Sequence, residues 1–579
     1  MKQLTVITLI SLLSLSVKAM DHDIDAQTWC KNVVMGWNLG NALESAGGDW
    51  DYDNYAWTNV WEKDYAKWET AWGNPKTTKE MIHALKEHGF NAIRVPVRWV
   101  PYADIETMEI DESWIARVKE VVDWCMAEDM QVILNTHHEL WLESYPIYTM
   151  KETLNSKLGK LWTNIATAFA DYDGRLAFAG TNEVTVNWAA PTAENYDVQN
   201  SYNQTFIDAV RATGGNNAKR NLIVQTYATD PTYGLAGFVI PNDPTENRLS
   251  VEFHYYSPYS YCSGGKDSYF YWGKAFADKG KITPDGNEDT IANLFLKLRK
   301  EWWDKGLGIV MGEYGCSHHF TDDDKQTQEA NEQYYLETLV SEARKNGFAA
   351  FVWDNNAYGN GSEKFGIFNR NNNMSVDAPF FLDGIKEGSK TQFVADVEYN
   401  EGDPDVGVGG KVIWEGEKLL NWGDGFQWKI EASEFAPFTD QATIVLYYYQ
   451  DKNASYEDIQ FMDGTWRASL TFTVGDSKFD GDFNPRSFYS TIGESHITPM
   501  IFTGSSLSKL KSVGVNIQGH GVVLTKIVVM SEPNAILLPT VITESDDAVY
   551  DLRGMKVSTP QDGKVYIVKG KKIIQSSLS

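Results

Sequence analysis

Short, mostly apolar runs alternate with longer amphipathic stretches from Val33 to about Phe351. The runs are Val34–Leu39, Ala92–Val95, Gln131–Leu134, Leu176–Ala179, Asn221–Gln225, Leu249–Phe253, Gly308–Met311 and Ala349–Val352. Their length and near-continuous apolar character read as buried parallel strands. Helices are predicted over Thr78–His88, Trp114–Glu128, Val198–Thr213 and Gln326–Asn346, where apolar residues recur at spacings of three and four, as at Met81, Ile82 and Leu85. Thr77-Thr78-Lys79-Glu80 reads as a capping box opening the first helix, and Gly89 as its stop. Eight strands alternating with helices is the count of an α/β (β/α)8 TIM barrel. A doubly wound open sheet is the alternative, weakened by the lack of a Gly-rich phosphate loop.

The pattern changes near Lys390. From about Phe393 to Met530 the helical periodicity gives way to alternating runs at Lys411–Trp414, Phe426–Ile430, Thr443–Tyr449, Arg467–Val474 and Val522–Met530, separated by turns such as Gly423-Asp424-Gly425 and Asp463-Gly464. This reads as an antiparallel β-sandwich without helices. Asn400–Asp405 reads as an acidic linker or edge loop. Beyond Pro533, Ala548–Val557 and Gly563–Ile573 read as two strands and a turn, too small for a core of their own. The expected division is a leader over 1–19, the barrel over 20–392, the sandwich over 393–535 and a tail over 536–579.

The leader follows from Lys2, the apolar stretch Leu4–Val17 and the small-residue site Val17-Lys18-Ala19. It predicts a secreted protein, extracellular, periplasmic or cell-surface, of a bacterium. No other run is long enough to span a bilayer. The formal net charge of −28 disfavours nucleic acid and polyanionic partners. Aromatic residues make up 13% of the chain, which suits carbohydrate stacking and equally suits large cores. The 4 cysteines, Cys30, Cys125, Cys262 and Cys316, form no C-x-x-C pair. Secretion would permit disulfides among them in any of three pairings, although Cys125 sits mid-helix as a small hydrophobe.

Two glutamates follow buried runs directly: Glu183 after Leu176–Asn182, and Glu313 after Gly308–Gly312. One such carboxylate is commonly a solvated loop charge. Two at strand C-termini of a barrel share one mouth, where the same rule gathers Arg94, His137, Asn182, His254 and Trp353. Paired carboxyls suit the breaking of a glycosidic bond, one protonated as acid and the other ionised. Arg94 would favour an ionised Glu313. His137-His138-Glu139 lacks the H-E-x-x-H spacing of a zinc helix, so neither a metal nor another cofactor is expected. His318-His319, just after Glu313, could line the cleft or sit in a solvated loop, and the loop is favoured. Trp37, Trp57, Trp61, Trp68 and Trp72 are read as packing with some sugar contacts. Trp414, Trp422 and Trp428 in the sandwich would be exposed in a carbohydrate-binding module and buried in a plain core.

The ordered motifs Arg94-Val-Pro-Val-Arg-Trp99, Asn135-Thr-His-His138, Asn182-Glu183, His254-Tyr-Tyr256, Gly312-Glu-Tyr-Gly315 and Trp353 resemble those of glycoside hydrolase family 5. Glu69–Glu80 is similar to its bacterial endo-β-1,4-glucanases. The resemblance covers the first two thirds of the chain. It implies a retaining hydrolase with Glu183 as acid and then base, and Glu313 as nucleophile about 5 Å away. Arg94 and Tyr256 would hold Glu313. His137, Asn182 and His254 would position sugar hydroxyls and tune Glu183, His138 would neighbour His137 in the cleft, and Trp353 would floor the reacting sugar. Val184 stands where the family usually has proline. The implied partner is a β-linked polysaccharide (cellulose, xyloglucan, mixed-linkage glucan or mannan), acted on by a monomer. The rivals are a silent polysaccharide-binding protein and a transglycosylase. The tail looks like C-terminal segments of some secreted Bacteroidetes proteins, which implies a sorting role.

Overall fold

The computed structural model describes residues 20–397 except 52–55, 267, 284–285 and 322. It also describes 411–530 except 423–427, 437, 439–440, 452–453, 475–476 and 486–494, together with four short strands between 549 and 574. The expected leader, the acidic segment Asn400–Asp405 and the turn Gly423–Gly425 lie outside the described residues. The chain divides into two compact units, Met1–Val397 and Glu398–Ser579.

The first unit is a closed parallel barrel. Its strands are β1 (Gly36–Asn38), β2 (Ala92–Val95), β3 (Gln131–Asn135), β4 (Leu176–Ala179), β5 (Leu222–Gln225), β6 (Leu249–Tyr255), β7 (Gly308–Tyr314) and β8 (Ala349–Val352). Closure is made by β1, where Gly36 lies opposite Ala92 of β2 on one side and Phe351 of β8 on the other. Every residue in these strands is buried, because helices cover the outside and side chains fill the inside. All eight expected runs are strands here. The open sheet is excluded by the closure.

Local chemistry sets the boundaries. The first amphipathic helix, Lys79–Glu87, is capped by Thr78, whose hydroxyl accepts from Met81 N, and not by Thr77. Thr77 instead donates its N–H to Glu69 Oε1 at 2.9 Å. Gly89, at φ 103°, ends that helix in a conformation that costs glycine little. His318 and His319 are corrected from a solvated loop to buried positions. His318 Nδ1 pairs with Glu332 at 2.8 Å, and aromatic rings of Tyr358, Phe380 and Phe381 surround it. Of the early tryptophans, Trp37 and Trp68 are core, whereas Trp61 and Trp72 are exposed.

The second unit holds two antiparallel sheets. The strands are β9 (Lys411–Leu420), β10 (Trp428–Ile430), β11 (Gln441–Gln450), β12 (Asp458–Asp463), β13 (Thr471–Val474), β14 (Ser477–Asp480), β15 (Asp482–Phe483), β16 (Ser495–Thr503), β17 (Val515–His520) and β18 (Val522–Met530). One sheet runs β9-β18-β11-β16-β13-β14 and the other β10-β17-β12-β15. One hydrophobic cluster draws on both, with Ile444, Phe472 and Leu524 from the first and Ile430, Phe461 and Ile517 from the second. A helix, Gly504–Val513, interrupts the expected all-strand pattern. Its Leu507 and Leu510 are buried in that cluster, so three-residue spacing was present in a segment read only for alternation. Trp414 and Trp428 pack on each other at 4.9 Å against the core, whereas Trp422 is exposed. The tail forms four short strands in one sheet, where two were expected.

All four cysteines are free and buried, so none of the permitted pairings forms. Burial pushes the thiols of Cys30 and Cys262 up to about 12 and those of Cys125 and Cys316 higher still. Among the described residues no helix is long and apolar enough to cross a membrane. The folded protein is therefore expected to show no thiol reactive toward a disulfide reagent at pH 8. All four should titrate once it is unfolded, with the same melting temperature with and without reductant.

Candidate active site

Strand pleat decides which side chains enter the barrel. In β6, residues two apart share a face, so Ser250, Glu252 and His254 alternate with Val251, Phe253 and Tyr255, which join the hydrophobic core. The inward set meets polar partners from across the barrel. Arg94, at the end of β2, is fully buried and reaches four of them. Its Nη1 donates to Asn38 Oδ1 and to Glu313 Oε1, each at 3.0 Å, and its Nη2 donates to Asn182 Oδ1 at 2.7 Å. Its Nε lies 3.1 Å from Glu252 Oε1, an ion-pair contact without the alignment of a hydrogen bond. Burial works against the guanidinium charge, but Glu252 and Glu313 more than restore it.

Glu313 owes its position to an irregularity in β7. Phe253 pairs with Met311, yet His254 pairs with Glu313, so Gly312 is an extra residue in the strand. Such a bulge re-aims the side chain that follows. Only glycine fits at 312, because a Cβ there would lie 1.9 Å from Glu252 Oε1. Glu313 Oε1 then faces Arg94, and Oε2 accepts from Tyr256 Oη at 2.9 Å. Burial pushes the Glu313 carboxyl above its ordinary value, while protonated His254 and Arg94 pull it back. The expectation that Arg94 favours ionisation holds as a direction, but burial outweighs it.

Glu183 follows β4 and accepts from His254 Nδ1 at 2.7 Å. His254 Nε2 faces Glu252 Oε1 at 3.3 Å, and its Nδ1 lies 3.7 Å from Glu313 Oε2. One oxygen of Glu183, one of Glu313 and a ring nitrogen of His254 lie within 4.8 Å of one another. Burial alone would neutralise His254, but Glu313, Glu183 and Glu252 together push it up to about 9. The imidazole is thus a cation between carboxylates.

The remaining expected residues also reach the mouth. His137 stacks on Trp353 at 5.8 Å and 6° between planes. Asn135 Oδ1 accepts from Val97 N, so its Nδ2 faces His137 Nδ1 at 3.1 Å. That arrangement makes Nδ1 an acceptor and leaves Nε2–H as the donor, 3.9 Å from Glu313 Oε1. Burial, then His138 and Arg94, hold His137 well below the ordinary imidazole value. His138, at φ 53°, has its carbonyl held by Arg98 Nη1, and burial pushes its ring down to about 3. It lies beside the exposed Trp72, with ring centres 5.9 Å apart. Asn182 Nδ2 is buried with no hydrogen-bond partner among the described residues. Of the three residues expected to tune Glu183, only His254 bonds it. Asn182 turns its oxygen to Arg94, and His137 faces Glu313.

Sequence reasoning missed Asn38, Gln225, Glu252 and Glu143. Asn38 ties Arg94 to the carbonyl of Gly312, donating from Nδ2 at 2.9 Å. Glu252 accepts from Gln225 Nε2 at 2.7 Å. The available signal was a charged residue inside the buried run Leu249–Phe253. Glu143 is buried and pushed up to about 8, first by burial and then by Glu139 and Glu183. Its main-chain carbonyl accepts from Thr185 N and so fixes the backbone just after Glu183.

The cellulase family model, glycosyl hydrolase family 5, matches residues 55–359. A xyloglucan-specific endo-β-1,4-glucanase of Bacteroides ovatus is 38% identical over 298 residues, 49% of this chain and 58% of that protein. Endoglucanase A of Clostridium longisporum is 35% identical over 345 residues, 58% of this chain and 60% of that protein. The matches therefore span less than two thirds of either relative. Among solved structures, a Bacteroides ovatus GH5 xyloglucanase in complex with a XXXG heptasaccharide has a TM-score of 0.58 at 31% identity, covering 64% of this chain and 78% of that one. A GH5 xyloglucan-specific β-1,4-glucanase from a ruminal metagenomic library, in complex with XXLG, gives 0.58 at 31%, covering 65% and 99%.

A charged His254 ties pH to stability. A histidine whose folded value is raised from 6.5 to about 9 contributes fully below pH 6.5, and the contribution is lost as pH rises through 9. Melting temperature should therefore fall between those values, by the equivalent of roughly 2–3 kcal/mol. The His254→Gln variant should be less stable at pH 6 and show a flatter profile over the same range by differential scanning calorimetry.

Proposed function

This chain belongs to the cellulase family, glycosyl hydrolase family 5, and on that premise we propose that it hydrolyses internal β-1,4 bonds of plant cell-wall glucans with retention of anomeric configuration. The observation that carries this reading is the approach of one Glu183 oxygen to one Glu313 oxygen within 4.8 Å, which supports a nucleophile beside an acid/base over the wider gap that admits a water. Glu313 attacks the anomeric carbon, and the carbon–oxygen bond to the leaving sugar breaks as Glu183 delivers its proton to that oxygen. Water then enters on the vacated side. Glu183 takes its proton, and the ester to Glu313 is cleaved.

Surrounding residues supply charge and position. Arg94 and Tyr256 hold the attacking carboxylate at hydrogen-bond distance. His254 gives Glu183 a charge-assisted hydrogen bond in both steps. Asn182 Nδ2 and His137 Nε2–H are free donors for sugar hydroxyls, and Trp353, stacked on His137, would floor the sugar that reacts. No step calls for a metal or organic cofactor. A silent binding protein would not need two carboxyls sharing a cationic imidazole.

Xyloglucan as the preferred glucan is a second reading, favoured by the relatives whose names specify it. The leader, although outside the described residues, supports secretion from a bacterium. The two antiparallel sheets are read as a β-sandwich, because their buried faces share one cluster. Trp414 and Trp428 serve that core, which leaves Trp422 as the exposed candidate for carbohydrate contact.

Proton NMR of early digestion is expected to show the β-anomer of the new reducing end first, and first appearance of the α-anomer contradicts the mechanism. Glu183→Gln should lower kcat on oligosaccharides by about 10²–10⁴-fold while keeping more activity on aryl glycosides, whose leaving groups need little protonation.

A further inference from the structure

The first unit exposes few aromatic side chains among the described residues, and all of them follow the C-terminal end of a barrel strand. Among the described residues they are Trp61 and Trp72 on the connection after β1, Tyr148 at the start of the helix after β3, Trp188 after β4 and Tyr259 after β6. Each lies on a connection leaving the C-terminal end of a barrel strand. Exposed rings without functional use would be scattered over helices and bottom loops as well.

Trp188 differs from the others in its backbone. It is 67% exposed and sits third in a four-residue turn closed by Ala189 N donating to Val186 O at 2.9 Å. Both central residues have positive φ, 50° at Asn187 and 56° at Trp188. That is the sign pattern of a type I′ turn, in which the second central position favours glycine and a bulky side chain is strained. The turn is held rather than loose. Val186 N donates to Tyr227 Oη at 2.8 Å, Thr185 N to the Glu143 carbonyl at 2.9 Å and Ala228 N to the Val184 carbonyl at 2.8 Å. The backbone from Glu183 to the turn is therefore fixed, and the turn presents an indole that packs against little at a conformational cost. Strain held at an exposed ring five residues after Glu183, on the same strand-end connection, marks a functional position.

Topology says which part of a substrate it would meet. In the closed order of eight strands, β4 and β8 are diametrically opposed. Trp353 follows β8 and Trp188 follows β4. In the proposed reaction Glu183 protonates the departing oxygen, so the surface beyond Glu183 faces the half of the chain that leaves.

We propose that Trp188 is a stacking platform for a pyranose on the leaving-group side of the scissile bond. It would bind the departing β-glucan and, in the second step, an incoming sugar acceptor. This rests on the glycosidase reading above. Indole stacking on one sugar face is worth a change of about fivefold to tenfold in affinity.

The test compares Trp188→Ala and Trp188→Gly with wild type on cellohexaose and on an aryl β-cellotrioside, whose leaving group is a phenol. The ratio of kcat/KM for cellohexaose to that for the aryl glycoside should fall about fivefold to tenfold in both variants. Longer products made at high cellohexaose concentration should decline with it. Trp188→Gly should melt at or above the wild-type temperature, because glycine relieves the turn. An unchanged ratio overturns the proposal, as does a lower melting temperature with both substrates impaired alike, which would make Trp188 a packing residue. If wild type cleaves neither substrate, the glycosidase reading fails. The platform is then judged by calorimetric titration of cellohexaose, where equal affinities of wild type and Trp188→Ala overturn it.

Discussion

A guanidinium fully buried at the centre of a barrel is the constraint on which this site depends. Arg94 cannot shed its proton, so its surroundings must supply acceptors. They do so from four strands or strand ends at once: Asn38, Asn182, Glu252 and Glu313. Removing Asn38 or Asn182 would leave a buried guanidinium N–H without its acceptor, and removing Glu252 or Glu313 would take away part of the compensating charge. The same bonds fix the two carboxyls of the proposed reaction, because Asn182 precedes Glu183 and Glu313 is itself a partner. His254 adds a second cation among Glu183, Glu252 and Glu313. Two cations among three carboxyls leave room for one proton without net charge. That is the inventory required by a protonated acid beside an ionised nucleophile.

The backbone is shaped to serve this arrangement. The bulge at Gly312 turns Glu313 into the mouth, and the missing Cβ is what lets Glu252 occupy the space beneath. After β4, the carbonyls of Val184 and Glu143 and the hydroxyl of Tyr227 hold the segment that carries Glu183. Val184, where proline is usual in the family, is buried and contributes its carbonyl to that support. The substitution changes a main-chain donor and leaves the carboxyl placement to the neighbouring bonds.

Much of this was legible in the sequence, for physical reasons. Parallel barrel strands are buried on both faces, so they stand out as apolar runs, and all eight were found. Residues just after them share the mouth by topology alone, which brought Arg94, Glu183, His254 and Glu313 together. What stayed hidden was polar side chains inside the runs. Glu252 passed unremarked within the run Leu249–Phe253 because its partners, Arg94 and Gln225, lie on other strands. His318 looked solvated because its hydrogen-bond partner, Glu332, lies on a helix 14 residues away. The helix Gly504–Val513 was hidden by a period of three inside a region dominated by a period of two. The strained turn at Trp188 has no sequence signal, since Asn-Trp is not a turn dipeptide of that type.

The central claim is that Glu313 becomes covalently attached to sugar while Glu183 does not. Incubation with a 2-deoxy-2-fluoro β-cellotrioside bearing a good leaving group, followed by protease digestion and mass spectrometry, tests it directly. The account predicts one added glycosyl mass, on the peptide containing Glu313, released when an acceptor sugar is supplied. A label on Glu183 would contradict it, as would rapid turnover of the reagent with no adduct.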